Sequence, residues 1–229
     1  MNTIAFIFAR GGSKGLPGKN ISLLNGKPLL GYAIDLAKEI DEISNVFVST
    51  DDKNIAEVAR QYDAQIINRP VSLAQDDSPE WLSWKHAIEF VEDKNLQFDK
   101  FLALPTTAPL RNKMDVQSCL DLLDSHTDVV VTITESHRSP FFNMVTIKKD
   151  GYLELLSADG KIYTRRQDVP QSYDLTTVAY VTRPEYILSS DSLFEGRVKA
   201  VNIPRERAVD IDNKMDFMIA ETLLKRENS

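Results

Sequence analysis

Short apolar runs rich in β-branched and aromatic residues alternate along this chain with segments whose apolar residues recur at helical spacing. Residues 3–9 (TIAFIFA) form a near-continuous apolar run, the pattern of a strand buried on both faces of a sheet. Leu30, Ala33, Ile34, Ala37 and Ile40 then mark one face of a helix. Further strands are expected at residues 45–50, 65–68, 100–104 and 128–134. The helices between them carry Ile55 to Tyr62, Trp84 to Val91 (with Trp81 one turn earlier) and Val116 to Leu123. The rhythm breaks at residues 142–156, where two extended runs flank Lys149-Asp150-Gly151, a hairpin signal. A polar, arginine-bearing stretch follows at 163–173. Strands return at 177–182 and 198–202, and Met215, Met218, Ile219 and Leu223 share a face of the last helix. Strand–helix alternation of this kind predicts an α/β fold, a mainly parallel sheet with helices on both faces, in one domain over residues 1–229. An inserted β-arm is expected near residues 140–175.

Composition narrows the picture. The 229 residues are 42% hydrophobic and 27% charged, which excludes global disorder. Lys plus Arg is 27 against 34 Asp plus Glu, a net charge of −7, which argues against nucleic-acid or membrane-surface partners. Any polyanionic ligand must therefore be drawn by a local cluster of positive groups. A single cysteine, Cys119, forms no internal bridge, and the opening apolar run is too short for a leader or a span, so a soluble, cytoplasmic protein is expected. Cys119 lies on an apolar helix face as a core thiol, and Trp81 and Trp84 read as packing. His86, His126 and His137 share no ligand spacing, so zinc is not expected, and no G-x-S-x-G elbow supports a serine hydrolase.

Directly after the first strand comes residues 9–20, ARGGSKGLPGKN. Open α/β sheets bind ligands beyond the carboxyl ends of their strands. Gly11, Gly12 and Gly15 let backbone N–H groups approach an anion, and Arg10, Lys14 and Lys19 supply positive charge. The combination suits a triphosphate. It is not a Walker A loop, because Ser13 stands where the first glycine belongs and Asn20 where Ser or Thr should be. Nor is it a dinucleotide fingerprint, since Ser13 follows the Gly11-Gly12 pair.

This loop, with Asn25-Gly26-Lys27-Pro28-Leu29 behind it, resembles the signature of acylneuraminate cytidylyltransferases, the synthetases of CMP-sialic acid and related CMP-nonulosonates. The motifs Val48-Ser49-Thr50-Asp51, Asn68-Arg69-Pro70, Pro105-Thr106-Thr107-Ala108-Pro109-Leu110-Arg111, Arg165-Arg166-Gln167-Asp168 and Asp210-Ile211-Asp212 follow in the family's order. The resemblance implies a Rossmann-like nucleotidyltransferase fold and transfer of CMP from CTP to a sugar acid, with release of pyrophosphate. It implies that Arg10, Ser13, Lys14 and Lys19 surround the triphosphate, with Arg10, Lys19 and Asp210 as catalytic candidates. Asn20, Arg69 and Ser78 would complete the nucleotide pocket. Leu104, Thr106, Arg111, Arg165, Arg166, Gln167 and Thr176 would face the acceptor, the arm reaching across a homodimer to build the partner's site. Asp210 and Asp212 alternate along an expected strand end, which lets both carboxylates point to one side, and they are candidates to hold Mg²⁺, which takes one or two carboxylates plus phosphate oxygens. The alternative for that segment is helix capping by Asp212 or Asn213, helped by Asp216.

Two departures leave the acceptor open. The family's usual Gln-Pro-Thr-Ser-Pro-Leu-Arg stands here as residues 104–111, with an extra residue and no Gln, and its Asn-Gly-Ala-Ile-Tyr appears as residues 176–180, TTVAY. A nucleotidyltransferase for another sugar is the first competitor. Others are a glycosyltransferase using Asp210-Ile211-Asp212 as a D-x-D motif, and a nucleotide-binding module without catalysis.

Overall fold

The computed structural model describes residues 2–157, 160–161 and 163–227, the side chain of 227 excepted. Its centre is a seven-stranded sheet in the order β11-β7-β10-β6-β1-β4-β5. The strands are β1 (Thr3–Phe8), β4 (Ile43–Thr50), β5 (Gln65–Asn68), β6 (Lys100–Ala103), β7 (Val129–Glu135), β10 (Tyr173–Thr182) and β11 (Val198–Asn202). All run parallel except β10, which is antiparallel to both of its neighbours, β6 and β7. The mainly parallel sheet expected from the sequence is therefore present, with one reversed strand set into it.

Alternation along β1 explains the layers. Ile4 and Phe6 point to one face, where they meet Phe47, Phe101, Trp84 and Ile88. Ala5 and Ile7 point to the other, among Leu30, Ile34, Val48, Leu102 and Val116. The first layer is covered by α3 (Glu80–Glu92) and α5 (Pro184–Ser189), the second by α1 (Leu29–Lys38), α2 (Lys53–Gln61) and α4 (Lys113–Leu122). Phe6 and Phe101 stack with centroids 4.5 Å apart, fastening β1 to β6. Truncating either ring should cost about 3–5 kcal/mol. Asp52 caps α2 through the amides of Asn54 and Ile55, and Asn112 with Asp115 makes a capping box at the start of α4.

From β1 the chain steps to β4 and β5 on one side, then later to β6 on the other. The helices α1 and α3 lie on opposite faces, so a crevice opens beyond the carboxyl ends of β1 and β6, the switch point where α/β sheets take ligands.

The predicted hairpin is β8 (Val145–Ile147) paired with β9 (Leu153–Leu155), turning through Gly151 at φ +87°. It forms its own two-stranded sheet, with Ile147, Tyr152 and Leu153 largely exposed. Positions 158, 159 and 162 of the expected arm lie outside the described residues, and β10 begins at Tyr173, inside the span assigned to the arm. A second, miniature hairpin pairs β2 (Leu23–Leu24) with β3 (Lys27–Pro28). Its turn is Asn25-Gly26, both at positive φ (49° and 83°), the Asn-Gly turn signal in its plainest form. The chain closes with α6 (Lys214–Glu227).

Candidate active site

The crevice is a cleft of about 370 Å³. It gathers Arg10, Ser13, Lys19, Asn20, Arg69, Ser78, Thr106, Asp210 and Asp212, nine residues singled out from the sequence. A second hollow beside it is lined by Ser13, Lys14 and Gly15 together with Arg10, Lys19 and Asp212, which adds Lys14 to the same neighbourhood.

The glycine-rich loop is fastened at several points. Asn20 is buried and donates to Arg10 O (2.9 Å) while accepting from Thr106 Oγ1 (2.5 Å), so it ties the loop after β1 to the loop after β6. Gly11 N donates to Asp51 Oδ1 (3.0 Å) at the end of β4. Gly15 lies so close to the backbone of Asp212 that a Cβ there would sit 2.3 Å from its carbonyl oxygen. Gly12 meets no such neighbour. Arg10 donates to Gln75 O (2.9 Å) and pairs with Asp76 (3.1 Å), which also pairs with Lys14. Lys19 donates to Ile211 O (2.7 Å) and pairs with Asp212 (3.1 Å).

The two aspartates flank Ile211, whose side chain is fully buried and whose N–H bonds Thr107 O (2.8 Å). That anchor sends both neighbouring carboxylates into the cleft, although the segment is coil and not the strand end the alternation suggested. Desolvation raises the Asp210 carboxyl above the usual range, and Asp212 adds to it; the Thr107 and Thr177 hydroxyls and Lys19 pull the other way. Its Oδ1 is buried and has no hydrogen-bond partner among the described residues. The capping alternative is settled in favour of Asn213, whose Oδ1 accepts from Met215 N (2.8 Å), while Asp216 accepts from the amides of Asp212 and Asn213 (3.0 Å each). The Asp212 side chain is left to Lys19 and the cleft.

On the far wall, Arg69 is buried, with Nε donating to Ser49 Oγ (3.1 Å) and Nη2 to Ser49 O (2.9 Å), and its guanidinium lies 5.5 Å from the centre of the Phe8 ring.

Several residues expected at the acceptor do not reach the cleft. Leu104 is fully buried in the core between sheet and helices, so its side chain is packing. Thr176 is buried too, donating to Thr132 Oγ1 (2.7 Å) at a break in the pairing of β10 with β7 between Thr176 and Val181. Arg111 lies beneath the floor, bonding Val178 O (2.5 Å) inside that break and Pro105 O at the end of β6. Burial works against its charge, while Asp210 and Asp115 support it. All three are turned into the structure that supports the cleft. Arg165 is occupied by Asp168 (Nε–Oδ2 2.8 Å), and Arg166 and Gln167 lie exposed on the turn after it. Arg166 lines a separate cavity of about 410 Å³ with His137, Asn202 and Arg205, so the arm residues are not at the cleft of their own chain.

The sequence reading missed Phe8, Asp76, Glu80, Thr107, Thr177 and Tyr180, all of which line the cleft. Tyr180 could have been found by extending the alternation of β10 to its cleft-facing positions. Burial, with Glu80 and Asp210 nearby, pushes its phenol up to about 12.

This is the Rossmann-like nucleotidyltransferase fold: the chain superposes on CMP:2-keto-3-deoxy-manno-octonic acid synthetase complexed with CTP with a TM-score of 0.71, at 18% identity, over 99% of this chain and 100% of that one. Residues 4–218 match the cytidylyltransferase family profile, and the chain belongs to that family of enzymes. It is 30% identical over 225 residues to a post-translational flagellin modification protein B of Campylobacter coli and to the CMP-N,N'-diacetyllegionaminic acid synthase of Campylobacter jejuni, in each case over 97% of this chain and 94% of the relative. It is 31% identical over 222 residues to an N-acylneuraminate cytidylyltransferase of Streptococcus agalactiae; 95% of this chain is matched but only 52% of that relative, so the chain spans about half its length.

Proposed function

We propose that this cleft transfers CMP from CTP to the anomeric hydroxyl of a nonulosonic, sialic-acid-like sugar acid and releases pyrophosphate. The observation that carries the reading is the meeting of the loop cations Arg10 and Lys19 with the Asp210–Asp212 pair across one cleft at the sheet's switch point. The relatives named for legionaminic and neuraminic acids support the acceptor class.

The anomeric oxygen attacks the α-phosphorus, and the bond from that phosphorus to the bridging oxygen breaks as pyrophosphate leaves. Charge grows on the leaving group, so the protein's task is positioning and electrostatic stabilisation. Arg10, Lys14 and Lys19 face the triphosphate end, and Ser13 with the loop amides orients it. Arg69 and Ser78 border the nucleoside end, while Asn20 and Thr106 hold the two strand-end loops at a fixed spacing.

Asp210 and Asp212 fit Mg²⁺: both are hard oxygen donors, and the buried Asp210 Oδ1 has no hydrogen-bond partner among the described residues. Bound there, Mg²⁺ would supply charge neutralisation for phosphate oxygens. Thr107, Thr177 and Tyr180 form the wall left for the acceptor, since Leu104 and Thr176 point elsewhere.

The reading includes a homodimer in which the β8–β9 arm crosses to the partner and brings Arg165, Arg166 and Gln167 to its acceptor. The exposure of Ile147 (72%) and Leu153 (62%) supports it, because apolar hairpins of this kind are seldom left in water. Ile147→Asp with Leu153→Asp should give monomer in analytical ultracentrifugation; a dimer unchanged by both would remove the arm from the interface. A reducing, CTP-supplied cytoplasm is the compartment that suits the reaction.

The deciding experiment is pyrophosphate release with Mg²⁺ and CTP across neuraminic, legionaminic, pseudaminic and shorter ulosonic acids. One strong responder is expected. Silence across all of them would reject the proposed reaction.

A further inference from the structure

Four carboxylates face the cleft: Asp76, Glu80, Asp210 and Asp212. Three have their charge accounted for. Asp76 pairs with Arg10 and Lys14, Asp212 pairs with Lys19, and Asp210 with Asp212 makes the pair suited to a cation. Glu80 has no task in the reaction above. It opens α3 immediately after Pro79, and its side chain stands on the wall of a cleft proposed to hold two anionic substrates. A carboxylate in that position repels phosphate and sugar carboxylate alike, so it must meet a hydrogen-bond donor.

The cleft has two unlike ends. Ser13, Lys14, Gly15 and Lys19 bound the end suited to phosphate. Phe8, Arg69, Leu73, Ser78 and Ser83 line the other, where apolar surfaces alternate with single polar groups, the mixture that suits a nucleobase. Glu80 belongs with these: Arg69 and then Arg10 are the cations that act on it most strongly. Ser78, two residues before it, presents a buried Oγ with no hydrogen-bond partner among the described residues, a second polar group at this end left for a ligand. The Glu80 side chain is open to water in the cleft but crowded by protein on its flanks, and that desolvation lifts its carboxyl above the usual range in spite of the neighbouring Trp84 indole N–H and Arg69.

Cytosine and uracil differ at the edge that would meet this group. Cytosine carries an amino donor where uracil carries a carbonyl oxygen, and a glutamate accepts from the first and repels the second. We propose that Glu80 selects cytosine over uracil in this cleft by accepting a hydrogen bond from the exocyclic amino group of the base. The proposal rests on the reading that the cleft binds a nucleoside triphosphate.

The test is isothermal titration calorimetry of CTP and UTP into the full chain with Mg²⁺ and no acceptor, for the wild type, Glu80→Gln and Glu80→Asp. The wild type should prefer CTP by about tenfold or more. In Glu80→Gln the preference should fall to about threefold or less, because a carboxamide can either accept from cytosine or donate to uracil. Glu80→Asp should weaken CTP binding and keep the preference. Should Glu80→Gln fail to fold, as read by its melting temperature, the same ratio in Glu80→Asp and Glu80→Ser decides, with loss of preference expected only in the serine variant. Equal wild-type affinities, or a preference untouched by Glu80→Gln, overturn the assignment while leaving the cytidylyl-transfer reading intact. So does a Glu80→Gln effect confined to the acceptor KM, which would place Glu80 against the sugar. Binding of neither nucleotide by the wild type would instead overturn the reading of the cleft itself.

Discussion

Arg69 and Arg111 both lie beyond a strand end, both are buried, and from the sequence both are expected at a substrate, Arg69 in the nucleotide pocket and Arg111 at the acceptor. The structure uses them differently. Arg69 spends Nε and Nη2 on Ser49, at the edge of the cleft, and keeps one face of its guanidinium on the lining. Arg111 is turned under the floor, where it satisfies the carbonyls of Val178 in β10 and of Pro105 in the loop after β6. The Val178 carbonyl is open to this bond because β10 breaks register with β7 between Thr176 and Val181. The break is also what turns Thr177 and Tyr180 toward the cleft. One arginine therefore offers charge to a ligand, and the other holds the shape of the wall the ligand meets.

That contrast can be broken most forcefully at Arg111. Arg111→Met should lower unfolding free energy by about 3–5 kcal/mol in urea titration, since it strands buried carbonyls and removes a buried cation that faces Asp210 and Asp115. Loss of nucleotide binding with full stability would instead make Arg111 a ligand. Next is Lys19→Ala, which should cut kcat/KM by about 100- to 1,000-fold. The melting temperature should fall by only about a few degrees, because the structural share of Lys19 is its bond to the Ile211 carbonyl at the cleft edge. Arg69→Lys is the sharper probe of the comparison: CTP should bind about tenfold more weakly through loss of the planar donor fork, with stability changed by about 1 kcal/mol at most. A large stability loss would put Arg69 in the same class as Arg111.

A smaller effect should appear with acid. Burial alone would raise the Glu42 carboxyl, but bonds from Lys100 (2.8 Å) and Thr3 (3.0 Å) more than offset it and hold it below its ordinary value. A depressed carboxylate stabilises the fold above its unfolded pKa of about 4.3 and loses that contribution as pH falls through the lower folded value. Lys100→Met should therefore flatten the dependence of stability on pH in that acid window. The least change is expected at Cys119, whose thiol burial pushes up to about 12. It should stay unmodified by a maleimide at pH 8 until denaturant opens the core.

Much of this was legible because it is local. The continuous apolar run of β1, the helical spacing of α1, α2 and α4, the Lys149–Gly151 turn and the charge of the glycine-rich loop each depend on a few adjacent residues. The nine expected residues that share the cleft lie on segments between strand ends and the helices that follow, which is where an open α/β sheet takes its ligand. The rest depended on pairings between distant segments. Nothing near β10 announces that it runs antiparallel between β6 and β7, and that placement is what consumes Thr176 and Arg111. Leu104 was misread for a similar reason: one residue past β6, its side chain still follows the inward alternation of Leu102. The Asn25-Gly26 hairpin was legible from its turn and was overlooked.

Gly15 offers a different lesson. With no room for even a methyl group between it and the Asp212 carbonyl, the phosphate-facing loop and the acidic pair behave as one machined joint assembled from opposite ends of the chain. Neither half can be altered, borrowed for another scaffold or allowed to drift by itself. A change that thickens the loop must be matched by a retreat of the acidic segment, so the spacing between the cations and the carboxylates is inherited as a unit.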